Sequence, residues 1–160
     1  MTIVSETTVT DSSASNDAAI IYVCITCRRA SDPEAEPRPG AVLAAATAQA
    51  AEGTGVIVRP IRCLANCTRG PSAAMRCNGS WTYVFGGLDV VCGPALVEGA
   101  RLLASAADGL MPWRGRPDAL KRGLMLVKGR NAGVVLQVIA QDLRLMRQGI
   151  GRQDATVHGL

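Results

Sequence analysis

The sequence predicts an α/β fold in a single domain, with elements in the order β-α-β-β-β-α and a C-terminal helical extension. Three observations carry that prediction. Two β-branched runs, AIIYVC over residues 19–24 and GVIVRPIRC over 55–63, flank an Ala-rich stretch over 41–52 that is free of Gly and Pro. Two further strand-like runs, SAAMRC and WTYVFG, are separated by Asn78-Gly79, a strong hairpin signal. After Gly93-Pro94, residues Leu96, Ala100, Leu103 and Ala107 recur on one helical face. At 160 residues, 48% of them hydrophobic, the chain can bury one core of ordinary size but not two.

In chain order, residues 1–18 are rich in Ser and Thr, carry Glu6, Asp11 and Asp17 without a cation, and read as a disordered leader. Residues 19–110 form the predicted domain and 111–160 its extension. The first strand ends at Cys24, and Pro33, Pro37, Pro39 and Gly40 keep the following loop irregular. The first helix presents Leu43, Ala46 and Ala50 on one face and stops at Gly53. Pro60 marks the second strand as an edge or a bulge. In the extension, a short helix is expected from Pro117 to Arg122. A longer amphipathic helix is expected over 132–150, where Val135, Ile139, Leu143, Met146 and Ile150 align. That apolar stripe suits packing on the domain or on a second copy in a homodimer.

Several function classes are disfavoured. Residues 113–160 carry nine Lys or Arg against three Asp, but the chain has only Phe85, Tyr22, Tyr83, Trp81 and Trp113 as aromatics, so nucleic acid is not the expected partner. No apolar run suits a secretory leader or a membrane span, which makes the cytoplasm the expected compartment and membrane contact unexpected. No Ser-His-Asp set, paired-carboxylate motif or phosphate loop is present, and His158 is the sole histidine, so the chain is not expected to be an acid-base enzyme.

Six cysteines in a reducing compartment favour metal or redox chemistry over disulfides. Four of them form two pairs: Cys24 and Cys27 in VCITCRR, spaced C-x2-C, and Cys63 and Cys67 in RCLANCTRGP, spaced C-x3-C. A β-α-β unit has a right-handed crossover and parallel strands, so the loops after its two strands leave the same sheet edge. The 35 residues between Cys27 and Cys63 are that crossover, and they return the chain to the first pair. The residues themselves admit three chemistries: an iron-sulfur cluster, a zinc ion in a thiolate tetrahedron that would make the domain an adaptor or metal-delivery protein, or dithiol-disulfide cycling by Cys24 and Cys27 near a helix N-terminus. A Rieske centre needs two histidines and is excluded.

Cys77, beside the hairpin turn, and Cys92, before the second helix, are expected to be packed or free. Arg28, Arg29, Arg62 and Arg69 lie near the pairs, either as a solvated rim or as cations that favour a reduced cluster and steer an acidic redox partner. Trp113, Arg114 and Arg116 form either a docking surface or a packing anchor for the extension.

The order β-α-β-β-β-α, with Pro71 before the third strand, is the thioredoxin-like arrangement. CLANC followed by Pro71 resembles the thioredoxin-like [2Fe-2S] ferredoxins and the related small subunit of respiratory NADH dehydrogenases, over roughly Ile20 to Ala107. VCITCRR, RCLANC, SWTYVFGGLD and DGLMPWRGRPDAL together resemble a narrower family of predicted metal-binding proteins of unknown function within that group. The resemblance implies a [2Fe-2S] cluster held by Cys24, Cys27, Cys63 and Cys67, electron transfer to a redox partner protein, and a setting near cobalamin synthesis. The C-x2-C spacing is tighter than the larger group usually shows, so the first pair rests on the narrower family.

Overall fold

The computed structural model describes residues 18–129. The expected leader, apart from Ala18, and the amphipathic helix expected over 132–150 lie outside the described residues.

The described chain runs β1 (Ile20–Cys24), α1 (Pro39–Ala51), β2 (Ile57–Ile61), β3 (Ala73–Arg76), β4 (Thr82–Phe85), α2 (Gly93–Ala104), α3 (Asp118–Arg122) and β5 (Leu124–Lys128). Short 3-10 turns occupy Cys67–Arg69 and Val90–Cys92. The five strands form one sheet in the order β2-β1-β3-β4-β5. The β1-β2 pair is parallel, with Cys24 opposite Ile61, while β3, β4 and β5 add antiparallel neighbours. A parallel β-α-β unit followed by an antiparallel hairpin and a helix, in this strand order, is the thioredoxin-like arrangement that the sequence predicts.

One face of the sheet builds the core. The registers Ile21↔Met75, Val23↔Ala73, Met75↔Tyr83 and Ala73↔Phe85 line these side chains up, because opposed residues share a face. The two long helices lie side by side over it, α1 contributing Leu43 and Ala44, and α2 contributing Leu96, Val97, Ala100 and Leu103. Ile21, Leu43, Leu96 and Phe85 are fully buried, each stabilising the fold by about 2 kcal/mol relative to an exposed side chain. Thr47 is buried in α1 without penalty, since its hydroxyl donates to the Leu43 carbonyl at 2.7 Å.

Local sequence explains the boundaries. Pro39 opens α1 where no amide donor is needed, two residues before the stretch that composition marks as helical. Pro60 sits in β2, which among the described residues pairs only with β1 and so is an edge, as expected. The hairpin turns at Asn78-Gly79, where Gly79 takes a φ of 68° and the Ser80 amide donates to the Cys77 carbonyl at 3.1 Å. The short helix expected at 117–122 is α3.

The extension differs from expectation in one respect: its described part completes the sheet, through β5 on β4. The preceding segment is tied down as well. The Met111 amide donates to the Tyr83 hydroxyl at 2.8 Å, and the Trp81 amide to the Gly109 carbonyl at 2.8 Å. Arg116, 7% exposed, donates to the Met111 carbonyl, and its guanidinium lies 5.6 Å from the Tyr83 ring centroid and 5.3 Å from that of Trp113. Trp113 itself is 63% exposed. The anchor of this segment is therefore the arginine rather than the indole.

Candidate metal centre

The first pair grows out of β1. Cys24 is its last residue, and β1 then turns so that Cys27 falls under the N-terminus of α1, whose Gly40 amide donates to the Cys27 carbonyl at 3.1 Å. Both residues are buried. The approach of α1 is close enough that a Cβ at Gly40 would stand 2.1 Å from the Cys24 carbonyl oxygen and 3.1 Å from the Cys27 Cβ. From the other side, a Cβ at Gly70 would stand 3.2 Å from the Cys27 Sγ. Glycine at these two positions makes room for the pair.

The second pair follows β2. Because Cys24 is in register with Ile61, Cys63 lies just beyond the same sheet edge. Leu64 is buried against Cys24, Cys27, Ile61 and Ala74, which fastens this loop to the first pair. Ala65 adopts a left-handed φ of 55°, at a cost of about 1 kcal/mol for a residue with a Cβ. That conformation aims its amide at the Cys63 Sγ, 3.2 Å away. Cys67 begins the 3-10 turn, and both Cys63 and Cys67 are exposed. The Arg62 carbonyl oxygen also joins the two loops, accepting from the Cys24 Sγ at 3.2 Å and from the Thr26 hydroxyl.

The thiols interact electrically in the same grouping. The two thiols of the first pair act on each other unequally: Cys27 lowers the Cys24 thiol well below the usual thiol range, and Cys24, with burial, raises Cys27. Thr26 and the Leu64 amide add to the effect on Cys24, whereas Ser72 pulls Cys27 modestly back. The charge of Cys63 pushes Cys67 up, and that of Cys24 adds a smaller push. Among the described residues, no three His, Cys, Asp or Glu side chains are grouped as a single ion would need. The four thiols are thus brought to one edge, but two and two.

The other sequence-level candidates separate. Arg28 pairs with Glu36 at 3.2 Å, and Arg29 with Asp89 at 3.0 Å, where it holds the Asp89 carboxyl below the usual carboxylate range. Arg62 and Arg69 are exposed and make no ion pair among the described residues, so the open basic rim is theirs. Cys77 is buried beside the hairpin and Cys92 is half-buried in the turn before α2, both away from the thiol pairs in the fold. The sequence patterns pass over Thr26 and Ser72, and they leave Pro39 and Gly40 in an irregular loop, whereas both lie in the first turn of α1. For Thr26 the only available signal was its place inside the C-x2-C motif.

A model of the family described as protein of unknown function (DUF1636) matches residues 21–127, spanning both thiol pairs and nearly the whole sheet. The chain belongs to that family. Within this DUF1636 member, the matched region takes in α3 and most of β5 as well as the elements around the cysteines. No curated protein matches the chain. Among solved structures, a thioredoxin-like [2Fe-2S] ferredoxin from Aquifex aeolicus is similar at a TM-score of 0.46 and 14% identity, over 69% of this chain and 93% of that one.

Proposed function

We propose that this protein is a small iron-sulfur electron carrier, holding one [2Fe-2S] cluster through Cys24, Cys27, Cys63 and Cys67. The two-and-two grouping of thiols on adjacent loops carries this reading. A dinuclear cluster takes two thiolates at each iron, whereas one zinc ion requires all four around a single point. The donor set fits, since the four ligands are soft thiols and the Ala65 amide already points at a sulfur.

When bound, such a cluster supplies one-electron chemistry, and the protein makes and breaks no substrate bond. The chain's own residues hold and shield it. Cys24 and Cys27 lie under α1 and away from water, while the exposed Cys63 and Cys67 present the other side to a partner. Arg62 and Arg69 give that side positive charge, which favours added negative charge and suits an acidic redox protein as the partner. The narrower family resemblance adds corrinoid-related redox chemistry as the setting, in the cytoplasm that the sequence favours. Reduction of a cobalamin by the reduced protein tests that addition separately.

A second reading is favoured by the two buried thiols of Cys24 and Cys27 beside the α1 N-terminus: dithiol-disulfide cycling, in which the two thiols become one disulfide while a disulfide of a partner protein takes up the two electrons and two protons as two thiols. Visible absorption separates the two. A brown, anaerobically purified protein bleached by dithionite supports the carrier. A colourless protein with a reversible Cys24-Cys27 disulfide supports the oxidoreductase.

A further inference from the structure

The contact between the two cysteine loops places three polar atoms together: the Cys24 Sγ, the Thr26 Oγ1 and the Arg62 carbonyl oxygen. The Cys24 Sγ lies 3.2 Å from the Arg62 oxygen and 3.6 Å from the Thr26 Oγ1, and the Thr26 hydroxyl donates to the same Arg62 oxygen. When Cys24 carries its thiol hydrogen, two hydrogens serve this triangle, one on the sulfur and one on the hydroxyl.

Metal ligation changes that count. A thiol that becomes a ligand gives up its hydrogen, so the Cys24 sulfur turns from donor to acceptor. Two acceptors then face each other, and the only hydrogen left in the triangle is on Thr26. Half-buried at that point, the hydroxyl is within reach of both acceptors, and an anionic sulfur competes well for it because charge-assisted hydrogen bonds are the stronger ones.

Resting on the cluster reading above, the geometry points to Thr26 as a positioning residue of the centre. Its hydroxyl shares its one hydrogen between the Cys24 sulfur and the Arg62 carbonyl, holds the first cysteine loop to the base of the second, and stabilises the more negative, reduced state. Hydrogen bonds to ligand sulfur raise the potential of iron-sulfur clusters, so removal of this one lowers it. Ile25 cannot replace Thr26 in this role, because it has no side-chain donor.

Thr26→Val removes the hydroxyl at nearly constant volume, and Thr26→Ser keeps the hydroxyl and removes the methyl. Both are compared with the wild-type protein, each loaded with cluster, by iron and sulfide content, midpoint potential, and the shift of the Fe-S(Cys) stretching bands in D2O. The Val protein is expected to show a more negative potential and a smaller D2O shift, with the Ser protein close to wild type on both. Loss of the cluster in Val but not in Ser also supports the clamp. The proposal is overturned if loaded Val keeps the wild-type potential, if Ser moves as far as Val, or if both lose the cluster. A wild-type protein that holds no cluster overturns it together with the function on which it rests, and is distinguished by metal content alone.

Discussion

Gly40→Ala tests whether α1 really closes over the first cysteine pair. The added Cβ would lie 2.1 Å from the Cys24 carbonyl oxygen and 3.0 Å from the Cys27 amide nitrogen, both backbone atoms of a loop pinned to its neighbours. Relief requires α1 and the loop to separate by roughly 1 Å, a form of overpacking that costs about 1–3 kcal/mol. Against this stands the helix-propensity gain of Ala over Gly, at most about 1 kcal/mol and smaller in a first turn. The net expectation is a loss of about 2 kcal/mol, which lowers the urea midpoint by about 1 M at an m-value of about 2 kcal/mol/M. Metal uptake should fall too, because the displaced atoms carry Cys24 and Cys27. Gly53→Ala is the control: it meets no atom within 4 Å but has a φ of 70°, so it should cost about 1 kcal/mol and leave metal uptake intact. A Gly40→Ala protein as stable as wild type, with full metal uptake, would refute the described closeness of α1 to the pair.

Other outcomes follow from the same geometry. Cys63→Ser should lose or destabilise the cofactor while Cys77→Ser retains it, as read by visible absorption per chain. Arg116→Ala should cost about 2 kcal/mol in chemical denaturation, since it removes the buried stack on Tyr83 and Trp113 and the bond to the Met111 carbonyl. Asp89 has a lowered carboxyl pKa in the folded protein, so its contribution is present above the usual carboxylate range and fades as pH falls through the folded value. The Arg29-Asp89 pair is exposed, so Asp89→Asn should flatten the acid side of the melting-temperature profile only slightly, and less at high salt. Arg62→Glu with Arg69→Glu should slow electron transfer to an acidic partner and weaken its dependence on ionic strength, measured by stopped-flow absorption.

How far the sequence could be read is clear from particular residues. The β1-α1-β2 unit was legible because its periodicities are clean, and the parallel register of Cys24 with Ile61 turns that topology into a shared edge for the two pairs. Asn78-Gly79 and Pro60 carried their usual meanings. By contrast, β5 is a five-residue strand after a proline-punctuated segment, and its reason for forming is the open edge of β4, which no local pattern reports. Burial of Arg116 was likewise invisible, since a guanidinium becomes a core residue only when Tyr83 and Met111 are already placed to receive it. At the site, the sequence supplied the four thiols and their common edge. The division into a buried and an exposed pair, and the Thr26 contact to Arg62, depend on the packing of α1 and on how the two loops meet.

The central claim is that the two pairs of thiols share one dinuclear cluster, and the most direct measurement is iron, zinc and acid-labile sulfide per chain in protein purified without oxygen. The account predicts two irons and two sulfides per chain, with both lost when either Cys24 or Cys67 is replaced by Ser. One zinc and no sulfide per chain, or full iron and sulfide in both variants, would contradict it.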